Sequence, residues 1–393
     1  MEVRPMTEDD QERVLEITSQ AFNLAPRMME RARDAPVERG RVLVEGSRIQ
    51  AALSILPIAH FFGGRSVRCA GIASVKVAPE ARGRGLARAL VREVLAETGA
   101  AGMPISTLFP STLPTYRRVG FELAGAHVRY RVPIAAIPRP SAHVVRAWGD
   151  DAIDAIGDCY RRVAAAGNGP IDRPGWWWKE RTLGRREPQE EMIYRYAVYD
   201  GERVDGYLVF TQERGSGEAQ WRYSLVCRDL FWASPAAARS LLSFVAGHRS
   251  LALDLVWVGS VEEPLHMFFS EQDALLDRAF HWMMRIVDPA AALEARGYPR
   301  TVEGSVEIEV ADPVVRANCG ALRLELEEGR GRVRRVERAA TRIGVGTLAA
   351  MYSGWLTPAD AVRSGGLGGA GDREIELLTA AFAGPKPWMS DFF

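Results

Sequence analysis

The 393-residue chain reads as a mixed α/β protein of more than one domain. Three observations predict this. A single hydrophobic core rarely grows beyond about 250–300 residues, so two or three domains are expected. Hydrophobic residues make up 47% of the sequence, enough to fill such cores and too many for long disorder. Strand-like apolar runs and helix-period stretches alternate along the chain.

Val3–Pro5 reads as a short strand, with Thr7 and Asp9–Asp10 as cap candidates for a helix through Phe22. Leu15, Ile17, Ala21 and Phe22 supply its apolar positions. Strands are expected at Arg41–Glu45 and Ile49–Pro57 around Gly46-Ser47, and again at Ser66–Val77. The period of Leu86, Leu90, Val94 and Leu95 predicts a helix to Thr98, with Gly99 as its stop. Ile105–Phe109 is a strand, a short helix lies near Tyr116, and Phe121–Val132 is a strand. The three prolines of Pro133–Pro140 break the pattern and mark a domain boundary.

The middle region mixes both types again. Tyr196–Tyr199, Tyr207–Thr211 and Leu253–Val258 are strands, and Pro235–His248 is a helix. The last region has a strand at Val302–Val310, a hairpin of Ala321–Glu327 and Arg332–Arg338 across Gly329, and two helices. Gly365–Gly371 reads as a flexible loop. No fixed-period repetition is visible.

Lysine plus arginine equals aspartate plus glutamate at 50 each. Zero net charge gives no electrostatic reason to expect nucleic acid or an anionic membrane as partner. Arginine far outnumbers lysine, which leaves room for local phosphate sites. The four cysteines, Cys69, Cys159, Cys227 and Cys319, form no C-x-x-C pair, and the histidines show no ligand spacing, so no metal site is expected. The N-terminus lacks signal-peptide character and no apolar run is long enough to span a membrane. A cytoplasmic protein is expected.

The strongest local signal is Val75-Lys76-Val77-Ala78-Pro79-Glu80-Ala81-Arg82-Gly83-Arg84-Gly85-Leu86-Ala87, a strand, a proline bend and an Arg/Gly loop opening a helix. Glycines let backbone N–H groups approach phosphate oxygens, and a helix N-terminus adds partial positive charge. Arg82 and Arg84 can add charge-assisted hydrogen bonds. An ordinary strand-to-helix turn is the bland alternative. A dinucleotide site fails on context, because the glycines sit several residues past the strand and no acidic residue ends the next one. The lysine and hydroxyl of a nucleotide-triphosphatase loop are absent.

This segment resembles the GCN5-related N-acetyltransferase superfamily, whose signature Q/R-x-x-G-x-G/A is matched by Arg82, Gly85 and Ala87. A second signature, Tyr-x-x-x-Gly-Phe, appears as Tyr116 through Phe121. Downstream, Met284 through Tyr298 and the apolar terminus, read as a helix ending in Trp388 through Phe393, are similar to the enhanced-intracellular-survival (Eis) family of those enzymes. The resemblance implies two tandem GCN5-related acetyltransferase-like domains, the second without cofactor, and a C-terminal sterol-carrier-protein-like domain. Boundaries then fall at 1–138, 139–289 and 290–393. It further implies acetyl-CoA as co-substrate, a primary amine acceptor (a small amine, an aminoglycoside or a lysine) and a homo-hexamer.

By that resemblance the backbone of Val75 and Val77 holds the pantetheine arm, with Arg82, Gly83, Arg84, Gly85 and Ala87 around the pyrophosphate. Ser111 matches a position near the cofactor. Tyr116 is the candidate acid for the departing thiolate, against the alternative of a buried helix tyrosine with a satisfied hydroxyl. The candidate base is the α-carboxylate of Phe393, against the alternative of a frayed tail. Glu80 and Glu122 adjoin the motifs, but nothing in their spacing aims them at an amine. Phe392 stands where some relatives carry an acidic residue, which leaves the acceptor open. Trp176-Trp177-Trp178 would point three ways from a helix, either packing between domains or walling the substrate cleft. The rival reading from another class is a lipid- or small-ligand-binding carrier on an inactive acetyltransferase scaffold.

Overall fold

A computed structural model describes residues 1–24, 29, 32–138, 144–184, 192–215 and 221–393. Residues 139 and 140, and with them the boundary expected after residue 138, lie outside the described residues. The chain divides into two compact units. One is Met1–Gly125 with His281–Gly384 and Phe393; the other is Ala126–Phe280 with Pro385–Phe392.

In the first unit, β1 (Glu2–Pro5), β2 (Gly40–Glu45), β3 (Arg48–Phe62) and β4 (Arg65–Val77) pair antiparallel in sequence order. Helix α1 (Gln11–Phe22) is introduced by Thr7, whose N–H and hydroxyl both donate to Asp10. It buries Val14, Leu15, Ile17 and Thr18, whereas Phe22 is 44% exposed, against expectation. Helix α2 (Leu86–Ala100) buries Leu86, Leu90, Val91, Val94 and Leu95 on one stripe. It runs through the expected stop at Gly99, and the left-handed residue comes later, at Gly102 (φ +66°). The chain then enters β5 (Ile105–Leu108), parallel to β4. On its other side β5 pairs antiparallel with the end of β12 (Leu275–Ile286).

The same unit contains a five-stranded sheet. In chain order its strands are β13 (Gly304–Ala311), β14 (Gly320–Glu327), β15 (Arg330–Val336), β16 (Thr341–Gly344) and β17 (Leu367–Gly368). Across the sheet they run β15-β14-β13-β16-β17. The hairpin across Gly329 (φ +78°) is as expected. Two expectations fail here. Three helices follow, α7 (Val345–Ser353), α8 (Pro358–Arg363) and α9 (Asp372–Ala381), where two were expected. Part of Gly365–Gly371 is β17, hydrogen-bonded to β16. Past α9 the tail is not helical, because Pro385 and Pro387 deny it backbone donors.

Two contacts tie this sheet's segment to the first strands. Gly297 donates its N–H to the Phe62 carbonyl at 3.0 Å. A Cβ on Gly63 would lie 2.1 Å from the Gly297 oxygen, and one on Gly297 would lie 1.9 Å from the Gly63 oxygen. Arg285 and Asp312 form an ion pair at 2.5 Å with both side chains fully buried.

The second unit orders its strands β6-β11-β10-β9-β8-β7. These are β6 (Glu122–Pro133), β7 (Val145–Ala147), β8 (Tyr194–Asp200), β9 (Arg203–Arg214), β10 (Tyr223–Trp232) and β11 (Ala252–Gly259). Helices α4 (Ile153–Ala164) and α5 (Pro235–Ala246) accompany them, and α6 (Pro289–Ala295) belongs to the first unit. In the second unit's interior Arg173 grips Asp229 in a fork (2.6 and 2.8 Å) and reaches Asp391 at 2.9 Å. Its guanidinium lies 4.0 Å over the Tyr160 ring. Trp177 and Trp178 are buried here, with Trp177 Nε1 donating to Asp391 at 2.8 Å and Trp178 edge-on to Tyr160.

Candidate active site

Residues 73–76 of β4 break the regular pleat. Ser54 faces Ala73 and Ala52 faces Lys76, so Ser74 and Val75 together oppose Leu53. Ser74 sits in the left-handed region (φ +54°). This is a β-bulge, which bends the strand and frees backbone groups from the ladder. On the opposite edge, pairing with β5 ends at Gly71↔Thr107. Beyond that point β4 continues to Val77 with β3 alone beside it among the described strands. The N–H and C=O groups of Val75 and Val77 therefore lie on a strand edge that an extended, amide-bearing chain can join.

The strand leads through Pro79–Ala81 into the Arg/Gly loop. Arg82 through Gly85 are exposed, and both Gly83 and Gly85 adopt φ +78°. Open space surrounds Gly83 where a side chain would stand. The N–H groups of Leu86 and Ala87 open α2 and have no acceptor within it. Arg84 is drawn to Glu45 at 2.8 Å, and the pairing holds the Glu45 carboxyl below its usual range. Arg82 makes no ion pair among the described residues. Backbone donors, a helix N-terminus and an arginine without an ion pair among the described residues thus lie together in one exposed loop, the ingredients of an anion cradle.

Tyr116 lies in α3 (Leu113–Arg117) and is 5% exposed. It shares one apolar cluster with Ile72, Val75, Leu86 and Phe121. Burial pushes its phenol up to about 12, so it is protonated at neutral pH. Ser111 is exposed, three residues past β5. The two neighbouring carboxylates are engaged: Glu80 with Arg13 at 2.6 Å, Glu122 with Arg117 at 2.7 Å. Phe393 returns to the first unit. Its ring stands edge-on to Phe109 at 5.7 Å, and a Cβ on Gly71 would come within 3.0 Å of it. The last residue therefore packs where β4 and β5 part, not as a loose end. Asp391 is committed to Arg173 and Trp177.

Sequence reasoning misses the bulge, the Gly71–Phe393 contact and the burial of Lys76. Lys76 is 7% exposed, with Nζ 3.2 Å from Ser74 Oγ. Only the positive φ at Ser74 explains the bulge, and no residue type announces it.

Residues 2–124 match the family of the acetyltransferase (GNAT) domain. Residues 169–286 match a second family of that description, and residues 289–390 match the sterol carrier protein domain. A crystal structure of a GCN5-related N-acetyltransferase from Anabaena variabilis is 31% identical, with a TM-score of 0.94 and 100% of both chains covered. The chain belongs to the GCN5-related N-acetyltransferases. Like other GCN5-related N-acetyltransferases it is an acyltransferase, built here from two tandem acetyltransferase domains and a C-terminal sterol-carrier-like domain. An uncharacterized N-acetyltransferase from Streptomyces avermitilis is 29% identical over 358 residues, 84% of this chain and 83% of that protein. The crystal structure of Eis1 from Mycobacterium abscessus shares the fold at 21% identity, with a TM-score of 0.82 and 100% of both chains covered.

In the second acetyltransferase domain the helix at the corresponding place begins differently. Helix α5 opens on Ser234, whose hydroxyl caps the Ala237 N–H, followed by Pro235 without an N–H. A cavity of ≈ 850 Å³ beside it is lined by Arg162, Arg203, Asp200 and Asp205 as well as Trp232, so its charges oppose one another.

Proposed function

We propose that this N-acetyltransferase moves the acetyl group of acetyl-CoA to a primary amine, in the first domain. The observation that carries the reading is the bulged, half-unpaired β4 running directly into the Arg82–Ala87 cradle. The backbone of Val75 and Val77 takes the pantetheine amides, and the loop N–H groups with Arg82 take the pyrophosphate. Ser111 lies toward the same cofactor. Only on the order of 0.1% of a lysine-like amine is unprotonated at neutral pH, so the reaction needs a proton acceptor as well as a donor for the departing thiolate. Tyr116, kept protonated by its burial, is the donor. The Phe393 α-carboxylate is the acceptor, supported by the seating of that residue against Gly71 and Phe109. With Glu80 and Glu122 engaged by arginines, neither offers an equal base. With Phe392 where some relatives carry an acidic residue, the acceptor stays open among a small amine, an aminoglycoside and a lysine.

Calorimetry tests the cradle. One acetyl-CoA site per chain is expected, abolished by Arg82→Glu, which repels the pyrophosphate, and by Gly85→Trp, which cannot adopt φ +78° without strain. Two equivalent sites, or full binding by both variants, overturns the assignment. Release of CoA thiol in the presence of a diamine panel separates an enzyme from a carrier.

A further inference from the structure

Helix α3 has five residues, too few to hold its own shape. Its tyrosine is fixed by the turn that follows. The Tyr116 carbonyl accepts from Val119 N at 3.0 Å and Phe121 N at 3.2 Å, and Gly120 N donates to the Arg117 carbonyl at 3.0 Å. The direction of the Tyr116 ring therefore depends on where Gly120 lies. Gly120, at φ +83°, rests against Arg285: a Cβ there would stand 2.9 Å from Arg285 Cζ, 3.0 Å from its Nε and 3.0 Å from Val345 Cγ1.

Arg285 is itself held from two sides. Its backbone pairs with Ser106 of β5, and Ser106 pairs with Ala70 of β4, the cofactor strand. Its guanidinium donates to Asp312 Oδ2 at 2.5 Å and to the Ile286 carbonyl at 2.9 Å. Asp312 is fixed in turn, accepting from Val314 N, Val315 N and Asn318 Nδ2 at 2.8–3.0 Å. Its carboxyl, though buried, is held below its usual range by Arg285. Among the described residues Arg285 Nε has no acceptor; it faces Gly120. An apolar pair of similar volume stabilises a core as well as a buried ion pair does, without the desolvation cost. What it lacks is the pair of directed N–H bonds, one to Asp312 and one to the Ile286 carbonyl, that sets one position for the guanidinium.

We infer that Arg285 and Asp312 are positioning residues for Tyr116, with the sterol-carrier-like domain supplying the Asp312 half of the brace that aims the first domain's proton donor. The inference rests on the reading of Tyr116 as that donor.

The test is a double-mutant cycle, read by thiol release from acetyl-CoA with whichever diamine turns over fastest. Asp312→Asn keeps shape and removes the charge. It should lower kcat about tenfold, with Arg285→Lys acting in the same direction, while acetyl-CoA Kd stays unchanged. In a Tyr116→Phe background Asp312→Asn should cost nothing further, because both changes act through one proton. Equal losses in both backgrounds, or unchanged kcat with only a lower melting temperature, would make the pair purely structural. If Tyr116→Phe alone turns over like the parent, the donor reading fails first and the inference falls with it. Should Asp312→Asn not fold, Arg285→Met with Asp312→Leu preserves bulk without charge. The same loss of kcat in that folded variant supports the brace, and full kcat overturns it.

Discussion

The amine of Lys76 is buried beside the bulge with Ser74 Oγ as its hydrogen-bond partner. Burial lowers its pKa from 10.5 to about 8. The folded state thus binds the proton less tightly than the unfolded chain. The cost is complete below pH 8, shrinks as pH rises from about 8 to about 10.5, and is absent above. Lys76→Met should therefore stabilise the protein at pH 7 by up to about 3 kcal/mol in urea titrations, with the gain vanishing above pH 10.5. A gain that ignores pH would show that packing, not charge, is responsible. Tyr116→Phe keeps the ring and removes the proton. It should lower kcat by roughly 100- to 10,000-fold and leave acetyl-CoA affinity nearly unchanged; unaltered kcat where chemistry limits turnover would return Tyr116 to a packing role. At this scale the sequence is informative where the conformation is local, as in the exposed Arg82–Gly85 loop with its positive-φ glycines and the buried Tyr116. Ser74, Lys76 and Gly71 are silent, because a bulge, a burial and a distant aromatic contact depend on neighbours remote in the sequence.

Helix α2 and its loop are legible because the apolar period and the glycines are local. Its end is misjudged by two residues because Gly99 and Gly102 both qualify, and the positive φ falls on the second. The tail is the larger misreading. Apolar residues in Trp388–Phe393 suggest a helix, but they are bound singly: Trp388 bridges Ala126 backbone to backbone, Asp391 is clasped by Arg173, and Phe393 seats on Gly71. Extending the chain past Phe393 turns the proposed base into a peptide carbonyl. Deleting Phe393 shifts the carboxylate by about 3.5 Å along an extended chain. Both changes should remove most of kcat and leave the melting temperature nearly unchanged. A C-terminally tagged protein with full activity would refute the base.

For the whole molecule, the mixed α/β class and its multi-domain build follow from length and pattern. The duplication of the acetyltransferase domain comes instead from the family resemblance and is borne out by the matches over residues 2–124 and 169–286, although the second copy starts its helix on Ser234-Pro235 rather than on an Arg/Gly loop. A closed homo-hexamer is proposed from the Eis-like resemblance. Sedimentation at micromolar concentration should find six chains per particle, and a monomer would detach this protein from that assembly without touching its chemistry.

Strand β5 shows what the discontinuous first unit means for a growing chain. Its four residues are all buried, and among the described strands one edge of it is closed only by β12. Residues 109–282 are made between Leu108 and Met283, the first residue to pair with it. At roughly 5–20 residues per second the ribosome needs about 9–35 seconds to supply the missing partner. Through that interval Ile105–Leu108 offers a bare ladder of backbone donors and acceptors, flanked by Ile105 and Leu108, to any other nascent chain. Slowing translation within the second unit should thus lower the soluble yield, and raising chaperone levels should restore it.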